Sequence, residues 1–155
     1  MNNWIYLTAV ALLLSVPAMA DDRRSVDEVK AAESDGFVQI KIVRGSLNVS
    51  GWDRNEIRVS GLLDEDTEEF IFDVRGKDAE ISVKLPHRTQ GWSDGSDLEV
   101  RVPMGSHVDV SLVSTDVRLR DITGGVDVSG VSGEVKDRKS TRLNSSHLVI
   151  SYAVF

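Results

Sequence analysis

The 155-residue chain has no cysteine, only three prolines and few aromatic side chains. Without cysteine there can be no disulfides, thiolate metal sites, iron–sulfur clusters or thiol nucleophiles. Stability must come from burial and strand pairing alone. Aromatic residues make up 6% of the chain, so any core must be mostly aliphatic. Basic residues are also in deficit, at 18 against 25 acids, for a net charge of −7. That balance repels phosphate at long range, so neither nucleic acid nor an anionic lipid surface is an expected partner. No mostly apolar, uncharged run ahead of a chain-breaking proline is long enough to span a bilayer. The longest, residues 4–16 (WIYLTAVALLLSV), has thirteen residues, against the roughly 20 a spanning helix needs.

That run has the form of an export signal. Pro17 ends it, and Ala18-Met19-Ala20 supplies the small residues a signal peptidase requires. Residues 1–20 are therefore expected to be a signal peptide cleaved before Asp21. No membrane association is expected after cleavage, and no cysteine follows the cleavage point to carry a lipid. Residues 21–36 read as a linker or short helix, from weak helical spacing at Val26, Val29 and Ala32.

From residue 37 onward the chain is periodic. Val108, Val117, Val126 and Val135 recur every nine residues; Val110, Leu119 and Val128 form a second column, and Val113, Ile122 and Val131 a third. Residues i and i+2 share one face of a strand, so the first two columns face inward together. The third is expected to turn inward at a corner, where Ser114-Thr115, Thr123-Gly124 and Ser132-Gly133 let the chain change direction. Looser copies are Val38, Ile40 and Val43; Leu47, Val49 and Trp52; and Ile57, Val59 and Leu62. One nine-residue unit cannot bury its apolar face, whereas stacked units share a core. The expected fold is all-β, with repeated short strands stacked as a β-solenoid or β-helix-like or sandwich-like sheet over residues 37–136. On this reading Trp52 belongs to the core, and its Nε1–H needs a partner.

Residues 137–155 read as foreign. DRKSTRLNSSH is the translation of a common sequencing-library adapter in one frame, and ISYAVF resumes that adapter after a gap the size of an index. The β-repeat domain is accordingly expected to be truncated at its C-terminus, and the Ser/His cluster of the tail is given no function. Removing Asp137, Arg138, Lys139 and Arg142 leaves 24 acids and 15 bases, a net charge of −9.

Several local patterns imitate chemical sites. Gly124-Gly125-Val126-Asp127-Val128 resembles a calcium-binding nonapeptide, but Asp127 comes too early, and the matching positions of neighbouring units are Arg118 and Asp109. Asp64, Glu65, Asp66, Glu68 and Glu69 lack the alternate spacing and central glycine of a calcium loop, and read as a solvated acidic turn. His87 and His107 have no metal-site spacing, so no metal and no cofactor is expected. Gly91-Trp92-Ser93-Asp94-Gly95 fits the Gly-x-Ser-x-Gly signature, but a nucleophile elbow needs a strand before the serine and a helix after it. A polar loop precedes Ser93, and residues 98–102 read as a strand. No catalytic residue is assigned. The candidate ligand contacts are Trp92, an indole available for stacking on a sugar or anchoring a protein, with its acidic neighbours Asp94 and Asp97.

The phrases Gly45-Ser46-Leu47-Asn48-Val49-Ser50-Gly51-Trp52-Asp53, Glu56-Ile57-Arg58-Val59-Ser60-Gly61 and Leu98-Glu99-Val100-Arg101-Val102-Pro103-Met104-Gly105, with the valine units after them, resemble a bacterial family. It is that of exported β-strand-repeat, adhesin-like proteins of unknown function. The resemblance covers residues 37–135 and implies a non-enzymatic cell-envelope scaffold, periplasmic or at the cell surface, that contacts an envelope protein or a glycan. Two other readings stand beside it: a carbohydrate- or ligand-binding module using the Trp92 loop, and a fragment of an envelope enzyme whose site lies further along the gene.

Overall fold

The computed structural model describes residues 23–86 and 94–138 and the backbone of 143–146. Among these the chain is all-β. Its strands are β1 (Ser25–Ala31), β2 (Phe37–Trp52), β3 (Glu56–Leu62), β4 (Glu69–Arg75), β5 (Asp78–Lys84), β6 (Ser96–Pro103), β7 (His107–Arg120), β8 (Val126–Ser132), β9 (Val135–Arg138) and β10 (Leu143–Ser146). They join one sheet, ordered β1-β3-β6-β2-β7-β8-β10, with β5 and β4 branching from β2 and β9 pairing β7.

The two long strands, β2 and β7, organise the molecule. They run parallel, from Phe37 beside His107 to Ser50 beside Arg120. On the other side of β2, the first half pairs with β5 and the second with β6. Burial shows why one strand serves two neighbours. Val38, Ile40 and Ile42 are buried, then Leu47 and Val49, so the alternation slips by one residue between the halves. The strand bends there and carries its inner face from one wall of the core to the other. Gly45 sits at the bend with φ +117°, and a Cβ at that position would lie 2.0 Å from the Ser96 carbonyl oxygen. β7 slips in the same way between Leu112 and Val117.

The two walls enclose an aliphatic core of Ile40, Leu47, Ile57, Val59, Ile81, Leu98, Val110 and Leu119, among others. The sheet nearly closes on itself. From β1, Lys30 donates its ammonium to the Phe72 carbonyl of β4 and lies over the Phe72 ring.

Nine residues prove to be half a repeat. Val108 of β7 pairs with Val126 of β8, and Val117 with Val135 of β9, both eighteen residues apart. The two halves of each eighteen-residue segment lie on opposite walls. The expected third column is corrected accordingly. Ile122 is fully buried, but Val113 and Val131 are 47% and 67% exposed, and Leu112 takes the inward place. Alternation along the strand requires this, since 108, 110 and 112 share a face and 113 does not. Ile42 and Leu63 likewise occupy the core in place of Val43 and Leu62. The pairs β1–β3, β3–β6 and β4–β5 are antiparallel and depart from a uniform stack.

One boundary also differs from expectation. Ser25–Ala31, read as linker or short helix, is a strand pairing antiparallel with β3 along its whole length. The edge of β3 supplies the hydrogen bonds, and Val26 reaches the core from it. Leu143–Ser146, within the segment read as adapter-derived, lies parallel to β8. An open strand edge accepts backbone partners with little regard to side chains.

Candidate functional site

The outer surface of the second wall carries a groove. Along β2 the inward Leu47 and Val49 alternate with Ser46, Asn48, Ser50 and Trp52, which face outward. Asn48 lies beside Glu99 of β6 on one side and Arg118 of β7 on the other, and Ser50 lies beside Arg101 and Arg120. Short side chains on the middle strand thus run between long ones on its neighbours. The result is an open cavity of about 280 Å³ lined by Asn48, Val49, Ser50, Glu99, Arg118 and Arg120.

Most charges around this groove are already paired. Arg101 donates to Glu99 from Nε at 2.9 Å and from Nη2 at 2.8 Å. Arg58 holds Asp27 through two bonds, and Lys136 holds Glu134. The hydrogen bonds from Arg58 are the main reason the Asp27 carboxyl titrates below its ordinary range. No ion pair engages Arg118 or Arg120 among the described residues. Trp52 stands at one end of the row. It is only half-buried, not in the core as its column position suggested. Its Nε1–H donates to the Glu56 carbonyl at 2.8 Å, and the guanidinium groups of Arg54 and Arg101 lie 5.2 and 5.8 Å from the ring centroid. Two guanidinium groups thus flank the ring, and an indole face attracts cations.

The opposite wall is acidic on its outer surface. Strand register places Asp73, Glu80, Gln39, Asp109 and Asp127 in one row across β4, β5, β2, β7 and β8. The His107 ring stacks on Phe37, with centroids 5.5 Å apart, and donates from Nε2 to Asp127 at 2.8 Å. Asp127 is thus tied to a side chain of the neighbouring strand, which is not the arrangement of a calcium nonapeptide. No group of three or more His, Asp or Glu side chains suited to a metal ion occurs among the described residues.

Of the candidate ligand contacts from sequence, Asp94 and Asp97 lie among the described residues. Trp92, with Ser93 and His87, lies outside the described residues. Asp94 is exposed. Asp97 is engaged within the fold, accepting from Arg23 Nη1 at 3.0 Å and from Ser46 Oγ at 2.8 Å. After Gly95 the chain enters strand β6, not the helix a nucleophile elbow needs. The acidic turn differs from its expectation too. Asp64 is buried, receives Arg44 Nε at 2.8 Å and accepts the Asp66 backbone N–H at 2.9 Å.

Sequence reasoning did not bring Asn48, Ser50, Arg118 and Arg120 together as a site. Alternation along each strand shows that they face outward. Their meeting depends on the pairing of β2 with β7 across some seventy residues of chain, for which no local signal exists.

No protein-family model matches the chain, and no curated protein matches it. Among solved structures, it is similar to one described as a putative cell adhesion protein from Clostridium sporogenes, at 13% identity and a TM-score of 0.47, over 84% of this chain and 96% of that one. It is also similar to a putative adhesin from Parabacteroides merdae, at 11% identity and a TM-score of 0.41, over 82% of this chain and 56% of that one. A third, described as a putative lipid binding protein from Parabacteroides distasonis, shares 11% identity at a TM-score of 0.34, over 81% of this chain and 62% of that one.

Proposed function

We propose that this chain is an exported, non-enzymatic β-repeat protein of the bacterial cell envelope, working as an adhesin-like scaffold through surface contacts with an envelope protein or glycan. Its solenoid-like part is the stack of β2, β7, β8 and β9. The observation that supports the reading most is the eighteen-residue register of Val108 with Val126 and Val117 with Val135. Such a register puts every inward position to work in packing and leaves two outer surfaces on which side chains from successive strands form rows. Repeat stacks of this kind offer extended binding surfaces in place of a single deep pocket. The signal-like residues 1–20 supply the route to the envelope.

The test is sedimentation of the mature chain with isolated bacterial envelopes, combined with N-terminal sequencing of the protein recovered from its host. Saturable co-sedimentation and an N-terminus at Asp21 are expected. Recovery from the cytoplasm with Met1 retained, or no retention by envelopes, would contradict the reading.

A further inference from the structure

We infer that the groove along β2 is a binding site for an anionic carbohydrate, with Arg118 and Arg120 taking the carboxylate or sulfate and Asn48 and Ser50 meeting the sugar hydroxyls. The inference rests on the surface-contact reading above and names its ligand class.

Charge comes first. In a chain of net charge −7, Arg118 and Arg120 stand two residues apart on one face of β7 with no ion pair among the described residues, while Arg58, Arg101 and Lys136 around them are paired. Two guanidinium groups side by side repel each other, and an anion between them relieves that repulsion. Guanidinium also offers carboxylate and sulfate two parallel donors. The one acid in the groove, Glu99, is neutralised by Arg101.

The floor then selects the kind of anion. Asn48 and Ser50 present amide and hydroxyl groups, each able to donate and accept. That mixture suits a ring carrying several hydroxyls better than it suits a bare ion. The cavity of about 280 Å³ is open to solvent, and its lining residues run along neighbouring strands, so it can receive a sugar ring from outside. None of the side chains lining the cavity is aromatic, so it offers no platform on which a nucleobase could stack, which argues against single-stranded nucleic acid.

The test is calorimetric titration of the chain with four probes: oligogalacturonate, dextran sulfate, neutral dextran and sodium sulfate. Saturable binding of at least one charged glycan is expected, weakening as sodium chloride is raised, with neutral dextran inert. Carboxylate and sulfate arms then report which anion the site prefers. The double variant Arg118→Gln/Arg120→Gln should lose at least about tenfold in affinity while its melting temperature stays close to that of the parent. Ser50→Leu should lose affinity as well, with both guanidinium groups still present, because it fills the floor. No binding of either charged glycan, undiminished binding by the double variant, or equal affinity for sodium sulfate and the glycans would overturn the assignment. If the double variant still sediments with envelopes as the parent does, the groove assignment fails and the surface-contact reading survives.

Discussion

The Nε of Arg44 lies 2.8 Å from Oδ2 of Asp64, whose side chain is completely buried. Arg44 comes from the bend of β2, and Asp64 from the connection after β3. The second guanidinium arm reaches Asp66 at 3.0 Å. The Asp64 backbone N–H donates to Ser96 Oγ at 2.9 Å, so the pair also fixes the start of β6. The hydrogen bond to Asp64 is the main cause holding the Arg44 guanidinium above its ordinary pKa. An acidic turn that looked solvated therefore contains the ion pair that pins the corner of the sheet.

Removing the cation should leave the buried Asp64 carboxylate without its Arg44 counter-charge. Arg44→Ala is expected to cost about 3–5 kcal/mol. Urea unfolding monitored by tryptophan fluorescence measures it. A loss below about 1 kcal/mol would mean that water reaches Asp64 and that the pair is ordinary surface chemistry.

Facing along β7 gives a sharper contrast. Leu112 is 4% exposed and Val113 is 47% exposed. Leu112→Ala should cost about 2–5 kcal/mol, and Val113→Ala no more than about 0.5 kcal/mol. Similar losses in the two variants would restore the third column to the core.

Gly45 and Gly76 both have positive φ, +117° and +61°, but they differ in surroundings. A Cβ at Gly45 would collide with the Ser96 backbone, while at Gly76 it would meet nothing within 4 Å. Gly76→Ala should cost about 1–2 kcal/mol, from the left-handed backbone alone. Gly45→Ala should cost clearly more, because the bend itself must shift. Equal melting temperatures would show that the bend tolerates a side chain.

Acid should weaken the fold in part through Asp27 and Asp35. Hydrogen bonds from Arg58 and Lys77 respectively hold these carboxyls below their ordinary values. A carboxyl with a depressed folded pKa stabilises the protein above its unfolded pKa, near 4, and loses that contribution as pH falls through the folded value. Both groups are exposed, so the effect is modest and screened by salt. The double variant Asp27→Asn/Asp35→Asn should show a shallower fall in urea midpoint between pH 5 and pH 2.5. An unchanged slope at low salt would contradict it.

How far the sequence spoke for this structure depends on the range of the interaction. Val108 and Val110, or Val117 and Leu119, announce their inward facing through i, i+2 spacing alone, and all four are buried. Leu112 and Val113 are both aliphatic neighbours just before a bend, and periodicity cannot say which of two adjacent apolar residues the turn will bury. The stacking partner was invisible for a related reason. A nine-residue spacing is equally compatible with neighbours on one wall and with partners on opposite walls, and only long-range pairing decides. Ser25–Ala31 escaped because Lys30, a charged residue, points inward to reach Phe72 and breaks the alternation. The groove was hidden longest. Ser50 and Arg120 are unremarkable until β2 and β7 lie side by side.

The eighteen-residue register is the feature from which both outer surfaces follow, and the absence of native cysteine allows a clean test. Ser111 Oγ and Ser129 Oγ lie 3.4 Å apart on adjacent parallel strands. Under mild oxidation, Ser111→Cys/Ser129→Cys should form an intramolecular disulfide, since strand neighbours fall within the Cα separation such a bond requires. Ser111→Cys/Arg120→Cys, nine residues apart, should stay reduced because its members lie on opposite walls. A disulfide in the nine-residue pair, with free thiols in the eighteen-residue pair, would contradict the register and the two-walled core built on it.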